Sequence, residues 1–158
     1  MVNKESPKVV ESFATAIARS KPSRPLRKLI ESGLLSKGAE VLDYGCGRGH
    51  DSRYLNQNGY SCTPYDPHWN PSVSLRSGSY DYITCTFVLN VVKEETERDI
   101  LLDMGRLLKN GGTAYITVRR DIKVFGKTTR GFQRQVLLGL PKVFDYKNNF
   151  CTYIMEKN

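Results

Sequence analysis

An open, doubly wound α/β sheet, mostly parallel and finished by an antiparallel hairpin, is the fold class this sequence predicts. Two observations predict it. Between residues 40 and 118, short apolar runs alternate with helical periodicities, the rhythm of a parallel sheet covered on both faces. Near the end of the chain, two strand-like runs flank Lys147-Asn148-Asn149, which reads as a hairpin turn.

Taken in order, residues 9–18 place Val9, Phe13, Ala16 and Ile17 on one helical face. The stretch 20–25 breaks that pattern. Ser23 caps a new helix with Pro25 in its first turn, which carries Leu26, Leu29 and Ile30 and stops near Gly33. Residues 40–44 read as a strand, 49–58 as a helix stopped by Gly59, and 61–65 as a second strand. The Pro-, Ser- and Gly-rich stretch 67–79 is a loop, and 80–87 a third strand. Residues 94–109 form the clearest helix, with Ile100, Leu101, Met104, Leu107 and Leu108 in one stripe, ended by Gly111-Gly112. Strand 113–118 follows, then a basic connection over 121–131 and a short helix over 132–138. Residues 142–146 and 150–156 make the closing hairpin. The expected organisation is an N-terminal helical lid or cap over residues 1–38 and a ligand-binding domain over 39–158, in one compact unit.

At 158 residues the chain suits one domain, and 39% hydrophobic with 25% charged residues is the balance of a soluble globular protein. No apolar run approaches the ~20 residues of a membrane span, which argues against a membrane partner. Lys4, Glu5, Lys8 and Glu11 argue against a secretory leader. Cys46, Cys62, Cys85 and Cys151 are widely spaced, with no C-x-x-C pair. They read as free thiols of a reducing, cytoplasmic compartment, and no metal site is expected. The net charge of +8 is uneven. Residues 119–142 hold seven basic residues against Asp121 alone, and residues 19–28 hold five with no acid. An anionic partner such as nucleic acid fits this pattern, and so does simple solubility.

Ligands of open α/β sheets bind beyond the carboxyl ends of the strands. The first such end is Val41-Leu42-Asp43-Tyr44-Gly45-Cys46-Gly47-Arg48-Gly49. Gly45, Gly47 and Gly49 let the backbone bend sharply and approach a ligand closely. The third glycine comes one residue too early for a dinucleotide fingerprint, since His50 occupies that position. Asp43 suits a ligand with an ammonium group and repels phosphate. Asp66 ends the next strand 17 residues after Gly49, near the spacing of about 20 at which an acid accepts ribose hydroxyls. A glycine loop with a ribose acid implies a nucleoside, and Asp43 implies an amino-acid-like tail. S-adenosyl-L-methionine meets both conditions.

These segments, with Tyr80-Asp81-Tyr82-Ile83-Thr84 and Arg106-Leu107-Leu108-Lys109-Asn110-Gly111-Gly112, resemble the successive motifs of class I S-adenosylmethionine-dependent methyltransferases. The resemblance covers roughly residues 40–118 and implies their Rossmann-like fold. A closer likeness links Ala16-Ile17-Ala18-Arg19-Ser20, Ser23-Arg24-Pro25, Phe87-Val88-Leu89-Asn90-Val91-Val92, Val118-Arg119-Arg120-Asp121 and Arg130-Gly131-Phe132-Gln133 to small methyltransferases encoded beside bacterial DNA phosphorothioation systems. The resemblance implies that Asp43, Gly45, Cys46, Gly47 and Gly49 hold the methionyl part. It implies that Asp66 and Pro67 hold the ribose, and that Thr84, Thr86 and Phe87 line the sulfonium and adenine. Arg19 is expected to fold over the cofactor with the N-terminal lid. The sequence departs from the family between Asp66 and Tyr80, where a strand carrying an adenine contact is missing. Trp69 is a candidate to stack on the base in its place.

Methyl transfer from an activated donor needs position and desolvation more than a catalytic signature. Asn90 is the candidate for orienting the acceptor, Arg119 for binding an anionic group, and Asp121 for a base; the alternative is an Arg119–Asp121 surface pair. The Asn/Asp/Ser-Pro-Pro-aromatic motif of exocyclic-amine enzymes and the Pro-Cys motif of cytosine C5 enzymes are both missing. A nucleic-acid-associated acceptor is expected on charge grounds, with residues 123–135 or a partner protein reading the target. The alternatives are a small-molecule acceptor and an accessory subunit that binds the cofactor without transferring from it.

Overall fold

The computed structural model describes residues 21–71, 73–123, 125–129 and 131–158. The helix expected over residues 9–18, and Arg19, lie outside them. The order is α1 (Arg24–Glu31), β1 (Glu40–Tyr44), α2 (His50–Gln57), β2 (Ser61–Tyr65), β3 (Tyr80–Thr86), a 3-10 turn (Leu89–Val91), α3 (Glu94–Leu107), β4 (Leu108–Arg119), β5 (Gly126–Thr128), β6 (Gly131–Gln133), β7 (Lys142–Asp145) and β8 (Phe150–Glu156). Six strands form one sheet in the order β2-β1-β3-β4-β8-β7, and β5 and β6 form a separate antiparallel pair. The pairings of β1 with β2, β1 with β3 and β3 with β4 are parallel, while β8 pairs antiparallel with β4 and β7. The predicted doubly wound α/β sheet with its closing hairpin is therefore the fold. Strand order reverses between β1 and β3, the point at which such sheets bind ligands.

Strand alternation assigns the two layers. Val41 points to the side of α1 and α2, where Leu26, Leu29, Leu55, Tyr60 and Tyr115 are buried together. Leu42 and Tyr44 point to the other side, against Ile100, Met104 and Leu107 of α3. Asp43, one residue on from Leu42, is thereby aimed at α2. α1 follows from Ser23, whose hydroxyl accepts the Leu26 N–H at 3.4 Å and donates to Asp51 of α2 at 2.6 Å. The Ser23 N–H donates to the same carboxylate at 2.6 Å. Ser23→Ala is expected to cost about 1–2 kcal/mol in urea unfolding, because it removes the cap and the link between the two helices together.

Two sequence expectations are corrected. α3 ends at Leu107, not Lys109, and β4 starts at Leu108, not at residue 113. The Ser79 N–H donates to the Leu107 carbonyl, and Lys157 bonds to both Gly112 and the Leu108 carbonyl, so the helix exit is pulled straight into the sheet. Gly111 turns at φ +83°, and a side chain on Gly112 would meet the Asp81 carbonyl. The short helix expected over 132–138 does not form. Gly131–Gln133 pairs with β5, and the Arg134 N–H donates to the Asn90 carbonyl. So short a helix is marginal by itself, and these tertiary bonds outcompete it. Among the described residues, no helix is long and apolar enough to cross a membrane.

Candidate functional site

A cavity of about 1000 Å³ opens over the carboxyl ends of β2, β1, β3 and β4. Its wall includes Asp43, Gly45, Cys46, Gly47, Asp66 and Pro67 on one side, and Thr86, Phe87, Asn90, Arg119 and Asp121 on the other. Of the expected site residues, Gly49 and Thr84 stand behind this wall and Arg19 lies outside the described residues. The size is at the upper end for small-molecule sites, enough for a cofactor and a second ligand.

The glycine loop is built by backbone torsion. Gly45, Gly47 and Gly49 adopt φ of +79°, +56° and +81°, all left-handed. A side chain on Gly45 would run into Val88 as well. The Gly45 and Cys46 N–H groups both donate to the Tyr65 carbonyl, at 2.7 and 2.9 Å, and Gly49 N–H donates to the Cys46 carbonyl. Gly47 N–H donates to Asp66 Oδ2 at 3.0 Å. A phosphate cradle needs such amides free. Here four of them are occupied, which leaves the loop itself poorly suited to a phosphate. Phe87, at the end of β3, is also left-handed (φ +60°), a strained setting for an aromatic residue on a cavity wall.

Asp43 is 4% exposed. Its carboxylate accepts the Ser52 hydroxyl at 2.8 Å and the Thr84 hydroxyl at 3.5 Å. Thr84, expected as a cofactor contact, is thus a partner of Asp43. Burial, followed by the negative charge of Asp51, pushes Asp43 up to about 7 despite those two hydroxyls. A buried acid that resists ionisation beside a cavity is tuned for a cationic ligand, whose charge would restore the carboxylate. Burial likewise raises the Cys46 thiol to about 12, which makes it an inert wall group.

Asp66 has a double task. Oδ2 takes the Gly47 N–H, while Oδ1 takes the N–H groups of His68 and Trp69 at 2.8 and 3.1 Å. A carboxylate has about four acceptor positions, so one remains for a ribose hydroxyl. Among the described residues of 66–79 there is no strand beyond an isolated Asp66–Asn70 bridge, which agrees with the predicted reduction of the fold there. These backbone bonds, the Ser23–Asp51 link and the strain at Phe87 carry no sequence pattern and were not legible in it.

On the β4 side the structure adds a second task to the expected ones. Asn90 is buried at 1% exposure on the cavity wall. Its Nδ2 donates to the Arg134 carbonyl at 3.0 Å, and its Oδ1 accepts the Arg119 N–H at 2.7 Å. Asn90 therefore ties the 3-10 turn to β4 and β6, with one N–H and one oxygen lone pair left over. Asn90→Ala is expected to destabilise the domain by about 2 kcal/mol in chemical unfolding, since it orphans two buried backbone groups. Arg119 holds Asp121 through two bonds, at 2.8 and 3.1 Å. This hydrogen bonding keeps Asp121 below the usual carboxylate range, so it is a poor base.

Sequence comparison agrees with this geometry. The family described as "Methyltransferase domain" matches residues 15–141, well over half of the chain. No curated protein matches. Among solved structures, the chain is similar to the 1,6-didemethyltoxoflavin-N1-methyltransferase of Burkholderia thailandensis, solved with 1,6-didemethyltoxoflavin and S-adenosylhomocysteine. Identity is 16% over 99% of this chain and 92% of that one, with a TM-score of 0.63. It is also similar to a TehB-like SAM-dependent methyltransferase from Corynebacterium glutamicum, at 18% identity over 94% of each chain and a TM-score of 0.60. A third match comes from work on the conversion of a disulfide bond into a thioacetal group during echinomycin biosynthesis. There identity is 21% over 64% of this chain, which spans about half (51%) of that protein's length, with a TM-score of 0.55. Identities this low speak for the fold, and the family match speaks for the rest: the chain belongs to the methyltransferase domain family.

Proposed function

We propose that this protein methylates a small, uncharged or cationic acceptor enclosed in the cavity, not a phosphodiester. The observation that carries the reading is charge placement. Of the basic segment 119–142, Arg119 pairs with Asp121, Arg120 and Lys142 with Asp145, and Arg134 with Glu97. The cavity wall itself holds six aspartates (43, 51, 66, 99, 103 and 121) against three arginines (48, 106 and 119). Arg106 and Arg119 are paired with two of those aspartates. A surface of this kind repels a polyanion despite the net charge of +8.

S-adenosylmethionine, when bound, supplies an electrophilic methyl group. The chain's residues then have separable tasks. Asp43 would hold the ammonium, and the remaining acceptor position of Asp66 would hold the ribose. Phe87, Val91, Val92 and Ile122 exclude water from the rest of the cavity. With Asp121 held ionised by Arg119, the acceptor side offers a weak base, which favours an acceptor atom that already carries a lone pair. The Burkholderia thailandensis neighbour, solved with a small heterocycle, is consistent with this class. The likeness to methyltransferases encoded beside DNA phosphorothioation systems supplies a DNA-linked setting but no acceptor.

Incubation with methyl-labelled S-adenosylmethionine, separately with duplex DNA, RNA and a pooled metabolite extract, tests the reading. Label is expected in the low-molecular-mass fraction. Label in DNA or RNA, with salt-sensitive binding of the same nucleic acid, would overturn it.

A further inference from the structure

We infer that Gln133 recognises the methyl acceptor, and that its carboxamide selects a flat, neutral ring carrying a hydrogen-bond donor beside an acceptor, as a lactam does. The inference rests on the enclosed-acceptor reading above. Gln133 ends β6, in the stretch Gly131-Phe132-Gln133 that the cofactor-binding residues leave without a task. β5 and β6 have three residues each, too few to stand as a hairpin by themselves. Arg134 fixes them. Its backbone N–H donates to the Asn90 carbonyl at 2.9 Å, and its own carbonyl accepts Asn90 Nδ2 at 3.0 Å. Its guanidinium donates to the Val92 carbonyl at 2.6 Å and to Glu97 of α3 at 2.7 Å, a mostly buried ion pair. Two residues on, Val136 is buried in the core. The end of β6 is therefore a fixed wall of the cavity, not a free loop.

Gln133, one residue before this clamp, lines the cavity together with Asn90, Arg119, Asp121 and Ile122. Its head group differs from those of its polar neighbours. Arg119 and Asp121 satisfy each other, and the Asn90 amide is bonded at both ends. Among the described residues, nothing is hydrogen-bonded to the Gln133 carboxamide. A carboxamide sets N–H donors beside a carbonyl acceptor and carries no charge. Its complement is a neutral ligand with an acceptor beside a donor. Phe87, Val91, Val92 and Ile122 supply the apolar wall against which a flat ring packs. An anionic acceptor would set its charge against the Gln133 carbonyl. An aliphatic one would leave both halves of the carboxamide without a partner.

The test gives the intact protein methyl-labelled S-adenosylmethionine and the pooled metabolite extract at several dilutions. Gln133→Leu, which keeps the bulk and removes both hydrogen-bonding groups, is expected to lower labelling about tenfold to a hundredfold in the most dilute extract. The loss should shrink as the extract is concentrated, because the residue acts on acceptor binding. Gln133→Glu, which keeps an oxygen and loses the donor, is expected to fall in the same direction. Calorimetry with S-adenosylhomocysteine is expected to give both variants the wild-type affinity within about twofold. Thermal unfolding checks that the fold is kept. Mass spectrometry of the labelled product is expected to show a neutral ring with a donor beside an acceptor. Wild-type labelling by both folded variants at every dilution, or a product without such an edge, would overturn the assignment while the enclosed-acceptor reading stands. A parallel loss of S-adenosylhomocysteine affinity would overturn it too, since Gln133 would then serve the cofactor site or the fold. If the wild type leaves the low-molecular-mass fraction unlabelled, the enclosed-acceptor reading falls and the assignment falls with it.

Discussion

Replacing Asp43 with asparagine is expected to weaken binding of S-adenosylmethionine about thirtyfold or more and, at pH 8, to stabilise the cofactor-free domain. The two effects have one cause. Asp43 is raised to about 7 in the folded chain, first by burial and then by the Asp51 charge, from an ordinary value of 3.8. Folding therefore favours the protonated form. This contribution is fully present below pH 4 and is lost as pH rises through about 7, where the buried carboxylate ionises. The ionisable groups around it are Asp51 of α2, Asp66 after β2, and the thiols of Cys46, Cys62 and Cys85, and none is cationic. Asparagine keeps the shape and removes the charge. Thermal unfolding at pH 8 should show a gain of about 1–4 kcal/mol, the upper figure being about three pH units at ~1.4 kcal/mol each. At pH 5 the gain should fall to less than half, about one pH unit at ~1.4 kcal/mol, and below pH 4 it should vanish. The same substitution removes the partner of the ligand's ammonium group, a loss of about thirtyfold or more in affinity. A variant equally destabilised at both pH values would show that Asp43 is only a structural acid.

Gly45→Ala is expected to be the most damaging single methyl group in the loop. Gly45 sits at φ +79°, and the added carbon would run into the Val88 side chain. The backbone cost is about 1–2 kcal/mol, and the collision adds a further cost of similar size. The loop must then shift away from β3, and cofactor binding should fall more than tenfold. The double variant Gly45→Ala/Val88→Ala separates the two causes. It should recover the part of the stability loss due to collision and leave the torsional part, a coupling readable in a double-mutant cycle by urea unfolding. Strict additivity of the two substitutions would contradict the packing described here.

The sequence was most informative where local chemistry decides the structure. Strands Glu40–Tyr44 and Ser61–Tyr65 and the Ser23-capped helix stand where apolar pattern and capping place them. The glycine loop and its two acids were legible because positive φ and buried charge demand particular residue types. What could not be read is what distant residues do to one another. The ion pairs of the basic segment were not legible because Glu97 and Asp145 are remote in sequence or follow it. Nothing local reveals that the backbones of Arg119 and Arg134 converge on the Asn90 amide. The segment after Gly131 has helical periodicity, yet its hydrogen bonds go to β5 and to the 3-10 turn.

The central claim is that the loop 45–49 and its acids select an amino-acid-tailed nucleoside and refuse a phosphate. Equilibrium dialysis of the intact protein with radiolabelled S-adenosylmethionine, with unlabelled NAD or ATP as competitor, tests it most directly. One equivalent of S-adenosylmethionine bound, displaced by S-adenosylhomocysteine and undisturbed by NAD or ATP, is the predicted result. Displacement by either phosphate-bearing nucleotide, or no binding of S-adenosylmethionine, would contradict it.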